Sequence, residues 1–351
     1  MGPANIKLNP VGAAMFLAVA LCLVIYAFGV PNWFNREPTV SMKELLTASI
    51  ELARRGGARV KEIRLKNSLG ETVKGKTKEG AKEMLTEGDS ESHRAIVYGM
   101  SKAFTGIQII SEEKDLKPVD FKTIDDVSKT LEEVENVIKG DEKVPKKDIT
   151  VWVDPLDATQ EYTENLQDYV TVMICVAVRG SPRIGVIYKP FRQQIAWAWV
   201  GYGHSDNLKV SQKSTSDSKV KPLRTIIVSR SHSGPVEKIA KKAYGNDTKI
   251  VPAGGAGYKT LEVIRGNADA YVHITLIKKW DICAPNAVLS ALNGKMTTLE
   301  GDTIDYKYKT EGDVKNHDGL LVTAAANDHY EFLSKLSKVA EEAKKSVSSK
   351  H

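Results

Sequence analysis

The sequence predicts an α/β protein built from stacked helical and sheet layers, preceded by one helix long enough to cross a membrane. Three observations carry this expectation. Val11 to Val30 is a run of twenty residues without a charge. From Ile149 to Val200 short apolar runs follow one another at strand length. Beyond Thr225, strand-like runs alternate with stretches of helical periodicity.

The chain has 351 residues, 42% hydrophobic and 27% charged, which is enough to bury the core of one large domain or two small ones. Lys and Arg number 50 against 44 Asp and Glu, a net charge of +6 spread in mixed-sign stretches. No basic arm results, and no nucleic-acid partner is expected. Cys22, Cys175 and Cys283 show no CxxC or metal-type spacing. A disulfide framework is therefore excluded as the main source of stability.

Val11 to Val30 lies between Pro10 and Pro31 and as a helix spans roughly 30 Å, the thickness of the hydrocarbon layer. A cleavable signal peptide has a shorter apolar core and a small-residue cleavage site, so the run reads as an anchor. Lys7 on one side and Arg36 with Lys43 on the other give little charge contrast for orientation. Asn246-Asp247-Thr248 is the only Asn-x-Ser/Thr triplet. It is either a glycan acceptor on a luminal domain or an ordinary polar turn.

After the stem, Ser41 and Glu44 make a capping box, and the helix they open is expected to stop at Gly56-Gly57. A second helix runs from about Ser90 to Phe104 with Asp89 as its N-cap. Gly106 to Ile110 then reads as a buried strand ending at Ser111-Glu112-Glu113. Lys114 to Asp148 is densely charged and is taken as a surface excursion with one helix near Val127 to Ile138. The runs Ile149 to Val153, Tyr169 to Val178, Arg183 to Tyr188 and Gln194 to Val200 form an antiparallel meander, with Gly180-Ser181-Pro182 as one turn. Strands at Thr225 to Val228 and Ala268 to Ile274 alternate with helices near Pro235 to Tyr244, Gly257 to Arg265 and Ile282 to Leu292. The Lys- and Ser-rich end from Ser337 reads as a frayed helix or tail.

Chemistry concentrates in Asp154-Pro155-Leu156-Asp157-Ala158-Thr159, at the end of an apolar strand. Hard divalent cations need several oxygen ligands, and a tight turn that aims Asp154 and Asp157 to one side with the Leu156 carbonyl between them supplies these. Solvated acids of an Asx-type turn are the plain alternative. Glu112 at a strand end, and Asp89 and Asp281 at helix starts, each have an ordinary explanation in solvation or capping.

Taken in order, Thr86-x-x-Asp89, Glu112-Glu113, Asp154 to Thr159 and Trp280-Asp281 resemble the lithium-sensitive, magnesium-dependent phosphatase superfamily of inositol monophosphatase and fructose-1,6-bisphosphatase. The match covers about Ser41 to Leu336. Two positions depart from the family pattern: Ser111 and Ala158 stand where Gly is usual, which bears on local turn geometry. The resemblance implies an αβαβα sandwich. It implies two or three Mg²⁺ ions held by Glu112, Asp154, the Leu156 carbonyl, Asp157 and Asp281, with Asp89 and Thr159 orienting and deprotonating the attacking water.

Ser229 to Ser233 follows a strand and Gly254-Gly255-Ala256-Gly257-Tyr258-Lys259 precedes a helix, so its glycines offer backbone N–H groups and a helix N-terminus to an anion. With Lys278 to Pro285, these segments resemble the 3′(2′),5′-bisphosphate nucleotidase branch more than the inositol phosphatases. The resemblance implies that Ser229, His232, Gly255 and Lys259, beside Thr159 and Asp281, bind the AMP part of 3′-phosphoadenosine 5′-phosphate. The N-terminal span is similar to that of Golgi-resident members. This implies a single-pass type II protein whose luminal enzyme clears an inhibitory product of sulfation, is lithium-sensitive, and forms a homodimer. The expected organisation is a tail (1–10), anchor (11–30), stem (31–40), catalytic domain (41–336, with a metal half to about 200 and a nucleotide half beyond) and a C-terminal tail (337–351). An inositol phosphate phosphatase, or an adaptor that has lost activity, remain the competing readings.

Overall fold

The computed structural model describes residues 9–28, 37–76, 82–115, 119–209, 224–230 and 235–348. It forms two compact units, Met1–Thr39 and Val40–His351. The first is dominated by α1 (Pro10–Phe28), where Pro10 opens the helix at a position that needs no backbone donor. Its window Pro10–Ala27 has a mean hydropathy of 2.3 and buries nothing within the protein. That helix is long and apolar enough to cross a membrane.

Further along, β1 (Thr39–Ser41) leads into α2 (Met42–Leu65), the hairpin of β2 (Thr72–Lys76) and β3 (Lys82–Leu85), α3 (Glu87–Ala103) and β4 (Gln108–Ser111). Then come α4 (Glu132–Val137), β5 (Lys143–Pro145), β6 (Ile149–Asp157), α5 (Thr159–Thr163), β7 (Thr171–Val178), β8 (Ser181–Lys189), β9 (Gln194–Trp199) and β10 (Gly203–His204). The remainder is β11 (Thr225–Ser229), α6 (Val236–Tyr244), β12 (Lys249–Ala253), α7 (Ala256–Ile264), β13 (Ala270–His273), β14 (Ile277–Lys278), α8 (Lys279–Ala291), β15 (Lys295–Thr297), β16 (Lys315–Asn316), β17 (Leu320–Thr323) and α9 (Ala326–Ser348).

Two sheets organise these elements: β10-β9-β8-β7-β6-β4 and β12-β11-β13-β17-β15. In the first, β4 runs parallel to β6, and β6 through β10 form the expected antiparallel meander. Helices α2 and α3 pack together on one face, α7 and α8 fill the space between the sheets, and α6 with α9 cover the far face of the second. The layers are αβαβα, as the resemblance implies. Three apolar cores hold the layers together: one around Leu45 and Ile174, one around Trp152 and Ile282 that spans both faces of the central helical layer, and one around Val228 and Phe332.

Several expectations are corrected. Helix α2 does not stop at Gly56-Gly57 but continues to Leu65, because these glycines admit neighbours instead of ending the turn. A Cβ on Gly56 would lie 2.6 Å from Ser92 Oγ, and one on Gly57 2.5 Å from the Tyr188 ring. Neither Asp89 nor Asp281 is an N-cap. The caps are Thr86 and Lys278, and each Asp is the third residue of its helix. In the charged excursion the helix expected near Val127 to Ile138 is shorter, the six-residue α4, and the segment tucks Val134 and Ile138 into the first core. The chain after Ser337 continues α9, which buries His329, Phe332, Leu336 and Val339 before its end. Cys175 and Cys283, for which spacing gives no pairing signal, are joined by a disulfide across 108 residues. One such link supplements three apolar cores and does not replace them.

Candidate active site

Strand pairing brings the first two acids together. Ser111 on β4 lies opposite Val153 on β6, and the Glu112 N–H donates to the Val153 carbonyl at 3.1 Å, so Glu112 emerges beside Asp154. Asp281 arrives from the opposite layer, on the first turn of α8, where its Oδ2 accepts from the Lys278 N–H at 3.1 Å. Ligand atoms of Glu112, Asp154 and Asp281 all lie within 4.8 Å of one another. Three carboxylates in so small a space repel. Burial first, and then the charges of Glu112 and Asp157, push the carboxyls of Asp154 and Asp281 well above the usual range.

Whether this group fits a metal ion is tested by its chemistry and by what faces it. The donors are all hard oxygens, the set that Mg²⁺ and similar dications take. A cationic group already sits there: the Lys74 ammonium of β2 lies 3.1 Å from Glu112 Oε1 and also pairs with Glu113. Burial opposes its charge, but Glu112 and Glu113 overcome that and hold the amine protonated. The residues fit a cation. Sequence reasoning missed Lys74, since a lysine in a charged hairpin carries no distinguishing signal, and it quoted Glu113 in the paired-Glu motif without giving it a role.

Asp157 has a different neighbourhood. The ladder between β6 and β7 shifts register between Asp154 and Asp157, a bulge that returns Asp157 to the face of Asp154 although the two are an odd number of residues apart. Its carboxylate accepts from the Ala256 N–H at 3.2 Å, the Gly257 N–H at 3.0 Å and Thr171 Oγ1 at 2.9 Å. The anion at the α7 N-terminus is thus supplied by the chain itself. Gly255, at φ +64°, makes this possible, because a Cβ there would lie 2.8 Å from Asp157 Oδ2. Burial raises the Asp157 carboxyl, against the charge of Lys259 and these hydrogen bonds.

Asp89 and Thr159 meet beside the trio. Thr159 Oγ1 lies 3.0 Å from Asp89 Oδ1 and 3.0 Å from the Leu156 carbonyl, while Asp89 Oδ2 accepts from the Thr86 N–H and Oγ1 at 2.7 and 2.6 Å. Burial, reinforced by the charges of Glu112 and Glu113, pushes Asp89 up to about 7 against the Thr86 bonds. A carboxylate so poised can hold or release a proton near neutral pH. Ala158 adopts φ +69°, the left-handed conformation its usual glycine allows. Ser111, the other departure, is extended and hydrogen-bonds His93 Nδ1 at 2.9 Å.

In the second half, β11 and β12 run parallel with Ser229 opposite Ala253, so Ser229 and the Gly254-Gly255 turn share one carboxyl edge of the sheet, where α/β folds bind ligands. Lys259 lies buried on α7, its ammonium over the Tyr271 ring at 5.0 Å. Burial lowers this amine to about 8, opposed by Asp157, Glu161 and Asp281. His232 lies outside the described residues. Asn246 is exposed between α6 and β12.

The inositol monophosphatase family model matches residues 41–342. The chain belongs to the inositol monophosphatase family. It is 44% identical over 347 residues to an inositol monophosphatase 3 of Danio rerio, covering 96% of this chain and 98% of that one. It is 40% identical over 363 residues to the Golgi-resident adenosine 3′,5′-bisphosphate 3′-phosphatase of Homo sapiens, covering 96% and 98%. The fold matches that of the extragenic suppressor protein suhB from Bartonella henselae, with TM-score 0.61 at 17% identity over 84% of this chain and 98% of that one. Members of this family are metal-using phosphoric monoester hydrolases.

Proposed function

We propose that this protein hydrolyses the 3′-phosphate of 3′-phosphoadenosine 5′-phosphate to AMP and phosphate in the Golgi lumen, with Mg²⁺ held by Glu112, Asp154, Asp157, Asp281 and the Leu156 carbonyl. The observation that carries the chemistry is the convergence of Glu112, Asp154 and Asp281 beside the Asp89–Thr159 pair. When bound, divalent ions at these oxygens neutralise the phosphate ester and lower the pKa of water. Asp89, fixed by Thr86, accepts the proton of the attacking water through or beside Thr159 Oγ1. Ser229, His232, Gly255 and Lys259 hold the nucleotide. Residues 41–200 then serve as the metal half and 201–336 as the nucleotide half.

The naming of the human relative supports the substrate and the compartment. The apolar α1 supports a membrane anchor, and the Cys175–Cys283 disulfide supports placement in an oxidising lumen. A glycan on the exposed Asn246 belongs to the same topology, and an Asn246→Gln variant that migrates like the parent argues against it. The homodimer that the resemblance implies is checked by light scattering of the detergent-solubilised chain.

A second reading, an inositol phosphate phosphatase, is favoured by the naming of the Danio relative. One assay separates them: turnover of 3′-phosphoadenosine 5′-phosphate against inositol 1-phosphate, with and without Mg²⁺, beside an Asp154→Asn variant. Faster turnover of inositol 1-phosphate overturns the nucleotidase reading, and turnover without metal overturns the mechanism.

A further inference from the structure

Between the two sheets, Cys175 on β7 is bonded to Cys283 on α8 with their Cα atoms 5.7 Å apart. Both residues are fully buried. Cys283 stands two residues after Asp281, and Cys175 pairs across the ladder with Trp152, two residues before Asp154. The link therefore ties the helix that carries one acid of the trio to the strands that carry another, close to both.

The first turn of α8 needs such a tie. Pro285 lies inside the helix, four residues after Asp281, so the backbone donor that would bond the Asp281 carbonyl is missing. The turn presenting Asp281 is held less firmly by the helix's own ladder than an ordinary first turn. Like-charge repulsion from Glu112 and Asp154 pushes it away from the sheet when no cation is present. Beneath it, Gly185 on β8, opposite Cys175, lets α8 approach so closely that a Cβ there would lie 2.3 Å from the Ala284 carbonyl. Glycine permits that approach but does not fasten it.

We propose that the Cys175–Cys283 disulfide is a positioning clamp that holds Asp281 within reach of Glu112 and Asp154, so that the cation site is preformed. The clamp rests on the reading of these acids as metal ligands. Because the bond is buried, it acts as a permanent fixture of the fold, and replacement tests it more directly than reduction.

The test uses the full chain in detergent, as the parent, as Asp281→Asn, as Cys22→Ala, and as two double variants. One double variant is Cys175→Ala with Cys283→Ala, and the other is Cys175→Val with Cys283→Ala, which restores packing volume. Mg²⁺ affinity is measured by titration calorimetry and thermal unfolding is followed in EDTA. Both double variants are expected to melt cooperatively and to bind Mg²⁺ about ten- to a hundredfold more weakly, the usual effect of removing support behind a ligand. Turnover at saturating Mg²⁺ returns toward the parent's, and Cys22→Ala binds as the parent does. Double variants that fold and bind with parental affinity overturn the clamp alone. Double variants that fail to fold even in saturating Mg²⁺ also overturn it, assigning the bond to global stability. A parent that binds no Mg²⁺, or Asp281→Asn binding undiminished, sinks the metal reading and the clamp with it.

Discussion

Ala158 occupies left-handed backbone space at φ +69°, where a Cβ crowds the following carbonyl at a cost of about 1–2 kcal/mol. Replacing it with glycine removes that strain but loosens the unfolded chain, which offsets about 0.4–1 kcal/mol. Ala158→Gly should therefore stabilise the domain by roughly 0.5–1 kcal/mol, read as a rise in melting temperature of about 2 °C for a domain this size. A fall in melting temperature would show that Ala158's methyl makes a compensating contact. The neighbouring pair answers to kinetics. Asp89→Asn and Thr159→Ala should each lower kcat by about 10²–10⁴, the usual share of a positioned proton acceptor, while leaving Mg²⁺ affinity close to the parent's. Loss of Mg²⁺ binding in either variant would recast the pair as ligands.

At the scale of elements, legibility depended on whether a signal is local. The Ser41 cap and the β6–β9 meander could be read because a cap or an apolar run of strand length needs only its own residues, and Ser41 Oγ does accept from the Glu44 N–H. The acids could be placed because each lies near the start or end of an element whose type is clear. Strands β15 and β17 were missed: they are three and four residues long, and a run as short as Leu320–Thr323 has too few residues to show a period. Only the end of helix α9, from Ser337, drew a reading, as a frayed helix or tail, because its buried stripe is thin beside its lysines and serines. What docks it is a polar contact no pattern announces, His329 between Thr297 Oγ1 at 2.9 Å and Thr323 Oγ1 at 3.0 Å. Burial, helped by the charge of Lys295, holds this imidazole down to about 4. The folded protein thus refuses a proton that the unfolded chain accepts below about 6.5, so stability is lost as pH falls from 6.5 toward 4. His329→Gln keeps a hydrogen-bonding side chain without the titration. The parent's unfolding free energy should fall more steeply than the variant's across that window, by up to about 1.4 kcal/mol per pH unit. Parallel curves would mean that His329 is protonated in the fold.

The molecule as a whole is assembled around charge that none of its layers can hold alone. Glu112 leaves β4, Asp154 sits in β6 and Asp281 in α8, so a cation placed among them joins the first sheet to the middle layer. Binding that occurs only in the folded state should stabilise it by about 2.7 kcal/mol at a hundred times the dissociation constant, near 5 °C in a domain of this size. The pH dependence has a definite sign. Because Asp154 and Asp281 titrate well above ordinary carboxyls in the metal-free protein, the fold keeps protons that the unfolded chain has released. Their contribution is present below the usual carboxylate range and is lost as pH rises through the raised values. Metal-free His329→Gln protein, which lacks the opposing imidazole titration, should consequently melt lower at pH 8 than at pH 5.5, and Mg²⁺ should add more at pH 8, where it competes with fewer protons and relieves more repulsion. Asp154→Asn should shrink both the gain from Mg²⁺ and its pH dependence. Equal gains at the two pH values in the parent, or an undiminished gain in Asp154→Asn, would place the cation somewhere other than among these three acids.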